Sequence, residues 1–179
     1  NVRFDSASGL QPTLPFGSGG VLRLNVDGSG ALGVGYKGKG TLTITEGVQV
    51  SSTVGYLGYH AGSEGTATVT GSNSKWTTPG TLYVGYNGLG TLTIEQGAQV
   101  SSSAGYLSYS STAQGTATVT GSGSQWTMTG DFYVGYYGRG VLHISQGAQV
   151  SNFKGYIGYD GTGEARVSGQ GAQWINASD

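Results

Sequence analysis

A unit of fifty residues recurs along this chain, and each unit divides into two similar halves. Gly40-Thr-Leu-Thr-Ile-Thr-Glu-Gly-Val-Gln-Val-Ser-Ser52 matches Gly90-Thr-Leu-Thr-Ile-Glu-Gln-Gly-Ala-Gln-Val-Ser-Ser102 and then Gly140-Val-Leu-His-Ile-Ser-Gln-Gly-Ala-Gln-Val-Ser151. The second half reads Gly65-Thr-Ala-Thr-Val-Thr-Gly71, Gly115-Thr-Ala-Thr-Val-Thr-Gly121 and Gly163-Glu-Ala-Arg-Val-Ser-Gly169. Phase markers at Gly40, Gly65, Gly90, Gly115, Gly140 and Gly163 are 25 residues apart, shortening once to 23. A unit this short cannot bury a core alone, so it must stack on its neighbours as a solenoid.

Within one half, Thr41-Leu-Thr-Ile44 alternates polar and apolar, the period of a half-buried strand. Leu42 and Ile44 are expected inside, Gly47 at a corner, and Val48 and Val50 inside on the next strand. Tyr56-Leu-Gly-Tyr59 makes a third strand. Helical periodicity is missing, and the 36 glycines would each weaken a helix by about 1 kcal/mol. The fold class is therefore all-β: a single-stranded parallel β-helix (β-solenoid) with about 25 residues and three short strands per coil.

Inward positions line up as columns. One runs Leu42, Ala67, Leu92, Ala117, Leu142, Ala165, with Ile44, Val69, Ile94, Val119, Ile144, Val167 beside it. Another runs Val50, Trp76, Val100, Trp126, Val150, Trp174. Trp alternates with Val while Ala replaces Leu in the same halves, as volume compensation in a close-packed core requires. Packing explains the three Trp better than stacking on a cofactor does. Residues 1–29 leave the repeat frame and, with Pro12, Pro15 and Phe16, form an expected N-terminal cap; residues 30–179 are the repeats. Trp174-Ile-Asn-Ala-Ser-Asp179 matches Trp126-Thr-Met-Thr-Gly-Asp131 without the strand that should follow. The expectation is thus a segment of a longer parent chain, cut in mid-coil.

The pattern G-x-L-x-I-x-x-G-x-x-V, G-Y-[LI]-G-Y, G-x-x-x-V-x-G-x-x-S-x-W, L-Y-V-G-Y resembles the repeat of autotransporter (type V secretion) passenger domains. It is also found in PEP-CTERM-associated extracellular bacterial proteins. Gly90, Leu92, Ile94, Gly97, Val100, Gly105, Tyr106, Leu107, Gly121, Ser124, Trp126, Val134, Gly135 and Tyr136 carry it, over roughly residues 30–179. Departures are Ser108 in place of Gly, and Val141, His143, Glu164 and Arg166 in place of Thr. The resemblance implies a right-handed parallel β-helix, export through the outer membrane, and a secreted or cell-surface location. It also implies a C-terminal translocator in the parent chain, and it brings no catalytic residue with it.

Chemistry-bearing residues are sparse. Charged residues make up 9% of the chain and the net charge is −1, so the basic footprint of a nucleic-acid binder is missing. No cysteine exists to form a disulfide or a thiolate metal site, and no apolar run is long enough to span a membrane. Acid–base catalysis needs paired carboxylates, but Asp5, Asp27, Glu46, Glu64, Glu95, Asp131, Asp160, Glu164 and Asp179 scatter over different corners. Glu46 and Glu95 come nearest to sharing one, two coils apart. His60 and His143 fall at different phases, so no metal site, no cofactor and no enzymatic activity is expected.

Ten of the twelve Tyr form Tyr-x-x-Tyr pairs. Alternation places Tyr56, Tyr83, Tyr106, Tyr133 and Tyr156 outward as a ladder, and Tyr59 and Tyr86 inward. Such a ladder suits recognition of protein or carbohydrate; it equally suits plain stacking between coils. Outward Thr41/Thr43, Thr66/Thr68, Thr91/Thr93 and Thr116/Thr118 make a flat uncharged array of the kind found on ice-binding solenoids, but Val141/His143 and Glu164/Arg166 interrupt it. Lys37, Lys39 and Arg139 recur near one corner and suit either anionic glycans or solvent.

The expectation for function is a non-enzymatic extracellular bacterial passenger domain that binds a host cell-surface protein, matrix protein or glycan. It would act as a virulence-type surface adhesin or as a released ligand of a host receptor. The alternative is a structural stalk displaying another domain, with ice binding or a polysaccharide-active enzyme more remote.

Overall fold

The computed structural model describes residues 30–178 and, ahead of them, the strands β1 (Val2–Phe4) and β2 (Val21–Arg23). β3 (Leu32–Val34) leads into six coils. The first holds β4 (Lys39–Ile44), β5 (Gln49–Ser51) and β6 (Gly55–Leu57), and the second β7 (Glu64–Thr70) and β8 (Lys75–Val84). Next come β9 (Leu89–Glu95) and β10 (Gln99–Leu107), then β11 (Gln114–Thr120), β12 (Gln125–Met128) and β13 (Phe132–Val134). The last two coils hold β14 (Arg139–Ser145), β15 (Gln149–Asn152) and β16 (Gly155–Ile157), then β17 (Thr162–Ser168) and β18 (Gln173–Asn176). Among the described residues every strand pairing is parallel and no helix occurs, so the chain is a parallel β-solenoid. In the second and third coils the two later strands run together as one, β8 and β10, with a register shift between Ser102 and Ala104. Within residues 1–29, where a cap is expected, β1 pairs with β3 and β2 with β5; Pro12, Pro15 and Phe16 lie outside the described residues.

The first face is a six-stranded sheet, β4-β7-β9-β11-β14-β17. Leu42, Ala67, Leu92, Ala117, Leu142 and Ala165 pair in succession along it, as do Ile44, Val69, Ile94, Val119, Ile144 and Val167. On the other sheet Val50, Trp76, Val100, Trp126, Val150 and Trp174 stack in the expected order. Trp76 and Trp126 are wholly buried. Each indole needs a hydrogen-bond acceptor there, and the coil beneath supplies it. Trp76 Nε1 donates to Ser52 Oγ at 3.1 Å, Trp126 Nε1 to Ser102 Oγ at 3.3 Å, and Trp174 Nε1 to Asn152 Oδ1 at 2.6 Å. Space for the ring comes from a glycine, since a Cβ on Gly55 would stand 3.0 Å from Trp76 Cζ2.

Corners are built from hydrogen bonds between coils. Glu46, Gln96 and Gln146 all adopt positive φ, at 56°, 55° and 55°, each ahead of a positive-φ glycine in a tight turn. Ser74 Oγ accepts from the Gly47 N–H at 3.0 Å, and Ser124 Oγ from the Gly97 N–H at 2.9 Å. The Ser of the G-x-x-S-x-W pattern is thus a buried clamp on the preceding corner.

Candidate functional site: a double tyrosine stripe

Tyr56, Tyr83, Tyr106, Tyr133 and Tyr156 pair in register along β6, β8, β10, β13 and β16, in the sheet that also carries the Trp column, and alternation turns them outward. The expectation for their partners needs correcting. Tyr59 and Tyr86 do not point into the core; both are half-exposed. Strand alternation lapses because the residue before each is left-handed, Gly58 at φ 68° and Gly85 at φ 80°. The same holds at Gly35, Ser108, Gly135 and Gly158, with φ of 64°, 60°, 82° and 67°. A positive φ reverses the direction in which the next side chain leaves the backbone. Close packing adds to the demand for glycine, since a Cβ on Gly85 would lie 2.4 Å from the Gln114 carbonyl oxygen.

Two columns result. Rings in the first stack at 4.7–5.3 Å with interplanar angles of 3–21°. The second, Tyr36, Tyr59, Tyr86, Tyr109, Tyr136 and Tyr159, stacks at 4.6–5.4 Å and 5–17°. Between columns, rings meet at 4.9–5.7 Å and 74–90°. The right angle has a physical cause. Stacked rings touch at about 3.5 Å, whereas coils repeat at about 4.8 Å, so each ring leans over to meet its neighbour. The columns lean in opposite senses and form a herringbone, with edges of one directed at faces of the other as the ring quadrupole favours. Tyr137 joins through Tyr136 at 4.3 Å. All twelve Tyr of the chain therefore belong to one contiguous stripe.

Ring faces inside the stripe are covered by like rings, which leaves edges and hydroxyls as the outward atoms. Burial raises the pKa of Tyr56, Tyr83, Tyr86 and Tyr106 above the ordinary phenol value. Burial, then the neighbouring Tyr106 and Asp131, pushes Tyr133 up to about 12. Tyr136 is raised by its hydrogen bond to Tyr137 and by burial. These hydroxyls stay protonated and serve as donors at neutral pH.

Other candidates disperse. The Thr columns stand in register on the six-stranded sheet and pass into Val141/His143 and Glu164/Arg166. Lys39 and Arg139 occupy one column with Glu64, Leu89 and Gln114 between them, and Lys39 Nζ pairs with Glu64 Oε2 at 3.0 Å. His60 packs edge-on against Tyr36 and Tyr59, while His143 pairs with Thr118 and Arg166 on a different face. Glu95 aligns with Thr70 and Thr120, one position before the corner that Glu46 occupies. Among the described residues no group of three or more His, Asp or Glu is placed to hold a metal ion. Among the described residues no helix is long and apolar enough to cross a membrane.

The second column and Tyr137 were missed by alternation alone. Their signal was present in the Gly-Tyr dipeptides Gly58-Tyr59, Gly85-Tyr86, Gly135-Tyr136 and Gly158-Tyr159. No known family model, curated protein or solved structure matches the chain.

Proposed function

We propose that this chain is a non-enzymatic extracellular passenger domain of the autotransporter type, which docks through its tyrosine stripe onto a host cell-surface or matrix molecule. The gathering of all twelve Tyr on one face carries the reading. Tyr supplies contact area at small entropic cost and is enriched in the centre of interfaces. Here the rings are held by each other before any partner arrives, which lowers the ordering cost of association. Because the faces are covered, the stripe offers hydroxyl donors and ring edges. That favours a protein partner with exposed carbonyl acceptors over a sugar, which would need an open ring face to stack upon. Export through the outer membrane and a C-terminal translocator in the parent protein belong to the same proposal.

Mutual stacking also supports a second reading, a stalk whose stripe only braces successive coils. Binding of the full chain to arrayed host-cell surface proteins, matrix proteins and glycans separates the two. Saturable binding to a surface or matrix protein, competed by excess unlabelled chain, is expected. A chain inert towards all three classes would leave the stalk.

A further inference from the structure

Oxidisable side chains are distributed unevenly in this molecule. Cysteine is absent, the single Met128 is buried, Trp76 and Trp126 lie in the core, and Trp174 is partly buried against it. The twelve phenols, in contrast, form one ring-to-ring network at the surface. Two of them, Tyr137 and Tyr159, are 45% and 52% exposed. From Tyr137 the path into the stripe is short: Tyr136 at 4.3 Å, then Tyr133 at 5.0 Å. Tyr133 has a stacked neighbour on either side, Tyr106 and Tyr156, each at 4.7 Å and within 8–11° of parallel. Its hydroxyl also donates to Asp131 Oδ2 over a long 3.4 Å, so a carboxylate stands ready for the proton that leaves with an electron.

We propose that the tyrosine stripe is a site of oxidative cross-linking, in which tyrosines on successive coils couple to dityrosine and staple the cysteine-free solenoid covalently. The co-reactant is hydrogen peroxide, the two-electron oxidant, activated by a peroxidase-type catalyst. Each phenol loses one electron and one proton to give a phenoxyl radical. Two such radicals join through a carbon–carbon bond between their ortho positions, and both rings regain aromaticity as the two ortho hydrogens move to the oxygens. Overall, two tyrosines and one peroxide yield one dityrosine and two waters. Coupling joins the π lobes of ortho carbons, so offset parallel rings are the disposition it needs, and edge-on pairs between columns are disfavoured. The pairs Tyr106–Tyr133 and Tyr133–Tyr156, in the same column, are the first expected to link. The inference stands whether or not the stripe also docks a partner.

The test treats the full folded chain with peroxidase and hydrogen peroxide at low protein concentration. Dityrosine fluorescence, denaturing electrophoresis and mass-spectrometric mapping are the readouts. The expected result is dityrosine in species that still migrate as monomer, with Tyr133 among the linked residues and a raised melting temperature. Tyr133→Phe keeps the stacked ring and removes the phenol; it should retain the parent melting temperature before oxidation and lose both Tyr133 conjugates. Tyr137→Phe/Tyr159→Phe removes the two most exposed phenols and should still form conjugates within the chain. No dityrosine, or conjugates confined to covalent dimers through Tyr137 and Tyr159, would overturn the proposal.

Discussion

Trp126 donates its indole N–H to the Ser102 hydroxyl of the coil beneath at 3.3 Å, and both side chains are buried. One contact thus joins the packing of the Trp-bearing coil to the polar bookkeeping of the coil below. Trp126→Ala empties a large site between Val100 and Val150 and should cost about 3–5 kcal/mol. Ser102→Ala leaves the ring in place but strands its N–H, for a loss of about 1–3 kcal/mol. Denaturant unfolding of the two variants checks both values. A loss below about 1 kcal/mol for Trp126→Ala would contradict its role in the core.

The position before each second-column Tyr gives substitutions of opposite sign. Ser108 holds φ 60° where the other five coils have Gly. Ser108→Gly relieves left-handed strain at some cost in chain entropy, for a net gain of about 0.5–1 kcal/mol. Gly85→Ala adds a Cβ 2.4 Å from a backbone oxygen at φ 80° and should lose more than about 1 kcal/mol. Matched melting curves test the pair, and equal effects would refute the left-handed explanation of the second column.

Alkaline pH should unfold the chain through its phenols. Tyr133 titrates at about 12 in the folded chain, against 10.0 for an unperturbed tyrosine. Below pH 10 both states are protonated and the contribution to stability is whole. Between about 10 and 12 the unfolded chain ionises first, so stability falls as pH rises. Ultraviolet titration of phenolate alongside unfolding measurements checks the sign. Stability constant across that window, with every tyrosine ionising at its ordinary value, would contradict the burial of the stripe.

Much of this architecture was legible because a solenoid repeats its own evidence. Leu42 over Ala67 and Val50 over Trp76 follow from spacing alone, and each pairing recurs in later coils. The first tyrosine column was legible for the same reason. The second was not, because period-2 alternation assumes extended backbone at every residue, and Gly58 and Gly85 leave it. The Ser clamps were also hidden, since the donors of Ser74 and Ser124 lie 27 residues earlier in sequence, one coil away in space. Fusion of strands into β8 and β10 depends on bends that no local pattern marks.

The docking role of the stripe is tested most directly by Tyr106→Ala combined with Tyr133→Ala, measured for melting temperature and for affinity to the protein recovered from the binding screen. The two residues stack at 4.7 Å on adjacent coils, so one partner spans both. Aromatic anchors of this kind carry about 2 kcal/mol or more each when truncated. A large loss of affinity is expected from a variant that remains folded. A lowered melting temperature with unchanged affinity would contradict it and leave the stripe as a brace between coils.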